Sequence, residues 1–472
     1  MRIVLLFCVL LVLACSNATM EISGDEQELY QNHLLLKAYF YHPERLKKFG
    51  EYRGMEVDSM YETLGDYFCG ANFVGNCGAR YTFYLPPEES DNRIHQIENT
   101  KKYYSFGFER KTYDKSGDTM VVSWVYPISP AASAGLRKKD KLLSANGISL
   151  IGLALAAEDS IYLKNDEPFE NPTVFEVLRN GETITLKTMQ KGEIQKPTVY
   201  LDSIEGIPYI QISEYKVNTN NPDGTYAEFR NILQEIKGAK AAIMDLRGNP
   251  GGNIGQCTAM AAEMVPLNTE LLYDEEHYRD RKKGNVIEIS HEYAKDYLRQ
   301  EGIGVNIKWV ILMNRGSASC SERFTAAVKY NRPETVVIGQ TSYGKGIGQI
   351  YTKTYKGGLA YITCLQTFYP NGTTFHNIGI IPDIPIEIPI EIQKGMPDPK
   401  DEDAYNAYMV AYDAYIATLR DEAIKAARGF GAVAKLSTMQ TSLEPLPPER
   451  QADIWEPTAN KRIEMPLFHQ GE

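Results

Sequence analysis

The apolar positions change period several times along the chain. Behind Met1-Arg2 the run Ile3 to Ala14 is continuously apolar, the length of a secretory signal and too short for a membrane span. From Glu26 to Phe49, Leu29, Leu34, Leu35, Leu36, Tyr39 and Phe40 recur at helical spacing, and Met55 to Phe68 gives a second helical stretch. Between Lys101 and Gly192 the pattern is β-type, with Tyr104 to Phe108, Met120 to Val125, and a Val174 to Met189 hairpin around Asn180-Gly181. From Thr198 strands and helices alternate. Tyr209 to Ile212 reads as a strand, Ala227 to Ile236 as a helix, and Ala241 to Leu246 as a buried strand; the turn Arg247 to Asn253 then leads to a helix over Cys257 to Met264. Trp309 to Met313 is a further buried strand, a helix follows Glu322 through Phe324, Ala327 and Val328, and Val336-Val337-Ile338 is the next strand. Strand, glycine turn and helix in repetition predict an α/β layer with sites at the carboxyl ends of the strands. Leu271 to Gly302 is charged and is expected to be a surface excursion near the cleft. Asp401 to Arg428 carries Tyr405, Tyr408, Tyr412, Tyr415 and Leu419 at helical spacing and should pack on the core.

Length and charge narrow the classes. A chain of 472 residues suggests two or three domains. The boundaries read as a signal over 1–14, a tether and helical region over 15–100, a β-rich module over 101–192, an α/β core over 198–395, a helix over 396–430 and a loosely ordered tail over 431–472. A formal net charge of −11 without a basic cluster excludes a nucleic-acid surface. Cys8 leaves with the signal, and Cys69 and Cys77 lie in a Gly/Asn-rich turn where an oxidising compartment would pair them. Cys257, Cys320 and Cys364 sit in apolar contexts and are expected to be free thiols. His291-Glu292 begins like a zinc-peptidase helix, but Lys295 occupies the second histidine position, so no metal or cofactor is expected.

The chemistry concentrates between Asn314 and Gln349. A hydroxyl-rich turn, Gly316-Ser317-Ala318-Ser319-Cys320-Ser321-Glu322, joins the end of a strand to the first turn of a helix. There amide groups lack intrahelical partners and an oxyanion would find donors. A serine hydroxyl needs a base to act as a nucleophile. Lys345 stands between glycines just past an apolar strand, where a tight turn would carry its amine inward. Desolvation there would lower the reference pKa of about 10.4 toward the range of a base. Gln349 is placed to hold that amine by a hydrogen bond. By itself, Ser-Ala-Ser before a helix is an N-cap. Gly339 to Lys345 also imitates a phosphate loop, but Gly346 stands where that loop needs Ser or Thr, and Ile347 to Ile350 reads as strand. Cys320 as nucleophile lacks a neighbouring histidine.

At these residues the sequence resembles the carboxyl-terminal processing (tail-specific) serine peptidases. The serine segment matches with Cys320 where alanine is usual. Thr341-Ser342-Tyr343-Gly344-Lys345-Gly346-Ile347-Gly348-Gln349 resembles the family's lysine segment, and Phe368 to Gly372, Gly379 to Asp383 and Asp245 to Gly252 are similar to further motifs. The resemblance implies an α/β, crotonase-like (Clp-protease-like) peptidase core with an inserted β-rich PDZ domain and a small helical N-terminal region. It implies Ser319 as nucleophile, Lys345 as general base, and Gln349 as the group orienting it, with Glu322 as a possible third catalytic group. Gly251 or Gly252 would share the oxyanion hole with the Cys320 amide. Residues 101–192 resemble a PDZ domain that binds polypeptides with unstructured C-termini, holding the carboxylate on Ser105, Phe106, Gly107 and Phe108. Lys139 stands where glycine is usual, and the stretch Ala154 to Pro172 is longer and more acidic than usual. Val12-Leu13-Ala14-Cys15 resembles a bacterial lipoprotein box, which would make Cys15 a lipid anchor to the membrane of the cell envelope; the alternative is ordinary cleavage near Ala18. The implied activity is a cell-envelope serine endopeptidase cleaving near C-terminal ends through a Ser/Lys dyad and an acyl-enzyme, without cofactor. The alternative is a non-catalytic peptide- or lipophilic-ligand-binding protein on the same scaffold.

Overall fold

The computed structural model describes residues 24, 26–64, 81–98, 103–111, 119–126, 128–152, 172–219, 221, 223–280, 283–395, 397 and 402–429. The leader, Cys15, Cys69, Cys77, most of the stretch 154–172 and the tail after 429 lie outside them. The described residues form two compact units. One comprises residues up to 98, 199–216 and from 228 onward; the other comprises 99–198 and 217–227.

The first unit opens with helices α1 (Gln27–Tyr39) and α2 (Val57–Glu62), strand β1 (Phe83–Leu85) and helix α3 (Pro87–Glu98). Leu29, Leu36 and Phe40, three of the residues expected at helical spacing, join Phe49, Tyr52, Met60 and Tyr61 in one apolar cluster that buries Ala360 and Ile362 of a strand described below, whereas Tyr39 is exposed.

The second unit is β-rich. Its strands are β2 (Tyr103–Ser105), β3 (Phe108–Lys111), β4 (Met120–Val125), β5 (Lys141–Ala145), β6 (Ile148–Ser149), β7 (Phe175–Arg179), β8 (Glu182–Thr185) and β9 (Gly192–Ile194), with helix α4 (Pro130–Ala134). A sheet of order β3-β4-β5-β7-β8, with β6 on β5, accompanies a separate β2-β9 pair. Phe106, Met120, Val122, Leu142, Phe175 and Val177 fill its core. Asn180 and Gly181 have φ of 52° and 86° and close the β7–β8 hairpin, the two left-handed residues that a tight right-twisted hairpin requires.

The rest of the first unit contains β10 (Val199–Ile204), β11 (Ile207–Ile212), α5 (Gly224–Glu235), whose first residues belong to the other unit, β12 (Ala241–Asp245), α6 (Ile254–Ala262), β13 (Glu270–Asp280) and β14 (Gly284–Tyr293). Then come α7 (Ala294–Tyr297), β15 (Lys308–Met313), α8 (Cys320–Asn331), β16 (Val336–Gly339), β17 (Ile347–Lys353), β18 (Leu359–Phe368), β19 (Ile384–Pro385), α9 (Ile390–Gln393) and α10 (Glu402–Gly429). Six strands form a sheet in the order β10-β11-β12-β15-β16-β19, parallel from β11 onward. All five residues of β12 are buried, as are the last five of β15, because both sheet faces are covered. Ala241, Ile243, Val310 and Leu312 face Tyr415, Ile416, Leu419 and Ala423 of α10. The amphipathic pattern of that helix thus closes one side of the core. A second, antiparallel sheet runs β1-β18-β13-β14, with β17 also on β18. The charged stretch expected to be a surface excursion is the β13–β14 hairpin of this sheet. Ile287 and Ile289 on it are exposed, but Asp274 is buried, for a reason given below. No helix among the described residues is long and apolar enough to cross a membrane.

Candidate active site

Three neighbouring parallel strands, β12, β15 and β16, end on the same edge of the sheet, and the turns that follow them carry the motif residues. Parallel strands joined through helices put all such turns on one side. Buried Asn249 ties the first turn to the second. Its carbonyl accepts from the Ala318 amide and the Ser321 hydroxyl (both 3.0 Å), and its side-chain oxygen accepts from the Gly251 N–H (2.9 Å). The Ser317 hydroxyl donates to the Leu246 carbonyl (2.7 Å), and Asn314 Oδ1 accepts from the Gly248 N–H (2.9 Å). The third turn joins the second through the Tyr343 N–H and the Ser317 carbonyl (3.0 Å).

Ser319 is half-buried at the mouth of α8 with φ 52° and ψ −113°. For a non-glycine residue such a conformation costs on the order of 1–3 kcal/mol. Two bonds over-determine it: its N–H donates to Glu322 Oε2 (2.9 Å) and its carbonyl accepts from the Arg323 N–H (2.8 Å). Gly251, with φ 110°, lies directly against it. A Cβ there would stand 2.8 Å from Ser319 Cβ and 2.9 Å from the Cys320 nitrogen, so glycine is required by contact as well as by φ. Gly252 is excluded from a side chain by the Tyr215 carbonyl, 2.1 Å from its would-be Cβ. Tyr215 bridges this turn through its N–H to the Gly251 carbonyl (2.9 Å) and its carbonyl to the Asn253 N–H (2.8 Å), a pattern that does not use the Gly252 N–H.

Glu322 is fully buried and reaches from the first turn of α8 to the lysine turn. Besides the Ser319 N–H, its carboxylate accepts from the Gly344 N–H (2.5 Å), the Lys345 N–H (2.7 Å) and the Ser342 hydroxyl (2.5 Å). Burial pushes its pKa up to about 7, while these hydrogen bonds pull it down. One carboxylate therefore holds the backbones of both motif turns. Lys345 is 3 % exposed, and its Nζ lies 5.2 Å from the ring centroid of Tyr81. His376 packs on the next residue: its Nδ1 accepts from the Gly346 N–H (3.2 Å). Burial lowers the His376 pKa to about 4, with the Lys345 charge adding to the effect and a backbone hydrogen bond opposing it. Gln349 sits on β17 at a register shift, its amide nitrogen donating to Thr363 Oγ1 (3.3 Å).

Ser319, Cys320, Gly251, Gly252, Glu322 and Lys345 are thus gathered in one place. The expectation of free thiols fails for two cysteines: Cys257 on α6 and Cys320 on α8 form a disulfide with Cα atoms 5.7 Å apart, and only Cys364 is free among the described residues. The apolar contexts were read correctly, but the two are 63 residues apart, and only the packing of α6 beside α8 brings them together. Neither Tyr81 nor His376 is assigned a site role by the sequence, since each reaches the lysine turn from a segment distant in the chain from the serine and lysine motifs. In the second unit, Ser105 Oγ accepts from the Gly107 N–H (3.1 Å). Phe106 is buried in the core, and Gly107, with φ 82°, packs against Ser129.

Residues 206–386 match the family described as Peptidase family S41. A probable CtpA-like serine protease of Staphylococcus aureus (strain bovine RF122 / ET3-1) is 31% identical over 279 residues, covering 58% of this chain and 51% of the relative. A protein of the same description from Staphylococcus saprophyticus is 28% identical over 353 residues, covering 71% of this chain and 65% of the relative. The chain thus spans about half the length of the first of these relatives. Among solved structures, a photosystem II D1 C-terminal processing protease covers 78% of this chain and 95% of its own at 19% identity, with a TM-score of 0.42. Residues 206–386, the stretch that matches the Peptidase family S41 model, hold all three turns of the site.

Proposed function

We propose that the chain is a serine endopeptidase that cleaves polypeptides near their C-terminal ends through Ser319 and Lys345. The observation that carries this reading is the Glu322 clamp, which fixes a strained serine turn and a buried lysine turn on one carboxylate. Ser319 Oγ attacks the peptide carbonyl as the uncharged Lys345 amine takes its proton. That step needs the amine uncharged, and the Lys345 side chain lies buried. The Cys320 N–H, an unpaired first-turn amide, and the Gly252 N–H take the oxyanion. The Gly251 N–H is committed to Asn249, which makes Gly252 the donor of the two and Gly251 the residue that allows close approach. The lysine then delivers its proton to the leaving amine, and water attacking the ester releases the acyl group and regenerates Ser319. With its nitrogen on Thr363, the Gln349 carbonyl oxygen is the atom that orients the amine. Glu322 acts on backbone groups and positions the dyad.

The β-rich unit is the PDZ-like module of this proposal. Its β3 is an edge strand, open to addition of an extended peptide, beside the loop Ser105 to Phe108. The same proposal puts the enzyme in the cell envelope, with the apolar run Ile3 to Ala14 serving secretion and Cys15 as the lipid anchor. Ser319→Ala and Lys345→Ala should each reduce cleavage of a denatured polypeptide by at least about 10³-fold with the circular-dichroism spectrum unchanged. Retained turnover in either variant would reject the dyad. Peptide binding by a wild-type chain that cleaves nothing would favour the scaffold alternative.

A further inference from the structure

We infer that the Cys257–Cys320 disulfide is a positioning element of the catalytic centre, fixing the spacing between the two halves of the oxyanion hole. The inference rests on the peptidase reading. Each cysteine belongs to one half. Cys320 follows Ser319 and itself carries one donor N–H, while Cys257 lies in the first turns of α6, which starts directly after Gly251-Gly252-Asn253. The hydrogen bonds through Asn314, Ser317 and the Ala318 amide lie on the strand side of Ser319; past it, the Ser321 hydroxyl reaches the Asn249 carbonyl and Arg323 Nε the Thr258 hydroxyl, both non-covalent. Past Ser319, where the amides must converge, the covalent bridge is the added tie. Ser319 is held at φ 52° against Gly251 with no room for a Cβ. Relaxation of that dihedral would turn the Cys320 N–H away from the Gly252 N–H, and a bond from Cys320 to α6 resists it.

Formation removes two protons and two electrons from the thiol pair by exchange with a disulfide oxidant, which leaves as two thiols. A dithiol reverses the exchange and closes to its own cyclic disulfide. Both cysteines are buried, at 0 % and 1 % exposure, so exchange with a dithiol proceeds through local opening of the folded chain.

The test uses the full chain. Peptide mapping under non-reducing conditions should recover the Cys257–Cys320 linked peptide, a result independent of any activity. Cleavage of a denatured polypeptide is then compared for oxidised wild type, dithiothreitol-reduced wild type and the double variant Cys257→Ala/Cys320→Ala. Reduction should lower kcat about five- to tenfold with KM unchanged, less than the loss of a whole oxyanion donor because the donor is displaced and not removed. The double variant should be as slow as the reduced enzyme and indifferent to dithiothreitol, which separates this bond from any other disulfide. A peptide boronic acid should bind the oxidised form more tightly by the same factor. If the double variant does not fold, the two redox forms of wild type decide. Equal kcat in both forms, an effect confined to KM, or absence of the linked peptide overturns the inference. Absence of cleavage in every form, with the linked peptide present, overturns the peptidase reading and the inference falls with it.

Discussion

At the scale of single residues, the site is a set of buried polar groups whose costs are offset by short, multiple hydrogen bonds. Glu322 and His376 flank the lysine turn and titrate in opposite senses. The folded chain holds His376 at a pKa of about 4 against an ordinary 6.5. Between those values the unfolded chain takes a proton that the folded chain refuses, so stability is full above about 6.5 and falls as pH drops toward 4. That difference corresponds to on the order of 3 kcal/mol. Glu322, raised to about 7 from 4.5, works the other way, its contribution being lost as pH rises between those values. Comparing wild type with His376→Asn isolates the histidine, because the asparagine oxygen takes the place of Nδ1 as acceptor for the Gly346 N–H. Urea unfolding at pH 4.5 and 7 should show the variant losing less stability at the acid pH than wild type. Equal losses would mean that His376 is protonated in the folded chain.

At the scale of elements, turn chemistry explains most departures from the expected pattern. Lys139, standing where related sequences were expected to have glycine, adopts φ 73°. It is locked there by its N–H to the Val122 carbonyl (2.8 Å), with the neighbouring Asp140 carbonyl accepting from the Val122 N–H (2.8 Å). The left-handed conformation costs an L-residue about 1–2 kcal/mol, and glycine loses part of that gain through chain entropy. Lys139→Gly should therefore raise the urea midpoint, by the equivalent of about 0.5–1 kcal/mol. An unchanged or lowered midpoint would show that the lysine side chain contributes more than its backbone costs. The β13–β14 hairpin is the other case. Its acidic residues read as solvent-facing, yet Asp274 and Glu292 turn toward a guanidinium that only the folded chain supplies.

At the scale of the whole peptidase-like unit, that guanidinium links the two sheets through the serine helix. Arg323 of α8 donates to Asp274 (2.6 and 3.0 Å), Glu292 (2.6 Å), Thr258 (3.0 Å) and Thr367 (2.7 Å), reaching β13, β14, α6 and β18. Its pKa is raised by these carboxylates against the effect of burial. Removing one member of a buried pair strands the other, at a cost of about 3–5 kcal/mol. Arg323→Met should destabilise by that amount, and adding Asp274→Leu should recover a large part of it. A double variant as unstable as the single one would locate the cost in packing around Arg323 and not in the stranded carboxylate.

Period and turn residues in the sequence were sufficient for the local elements: β12 and β15 as buried runs, the Asn180-Gly181 hairpin, the N-terminal helices and α10. Ser319 and Lys345 stand out as a nucleophile at a helix mouth and a base in a glycine turn, whereas Glu322 and the two glycines join them only through the family resemblance. What local pattern cannot carry is distance between separate segments. That Glu322 binds the Lys345 backbone, that Gly251 and not another glycine abuts Ser319, and that Tyr81 and His376 line the lysine turn followed only from strand order. The same holds for Cys257 and Cys320, whose bond depends on α6 lying beside α8. Hydrophobic burial specifies which face of each element turns inward, whereas the pairing of turns is decided only when the sheet assembles.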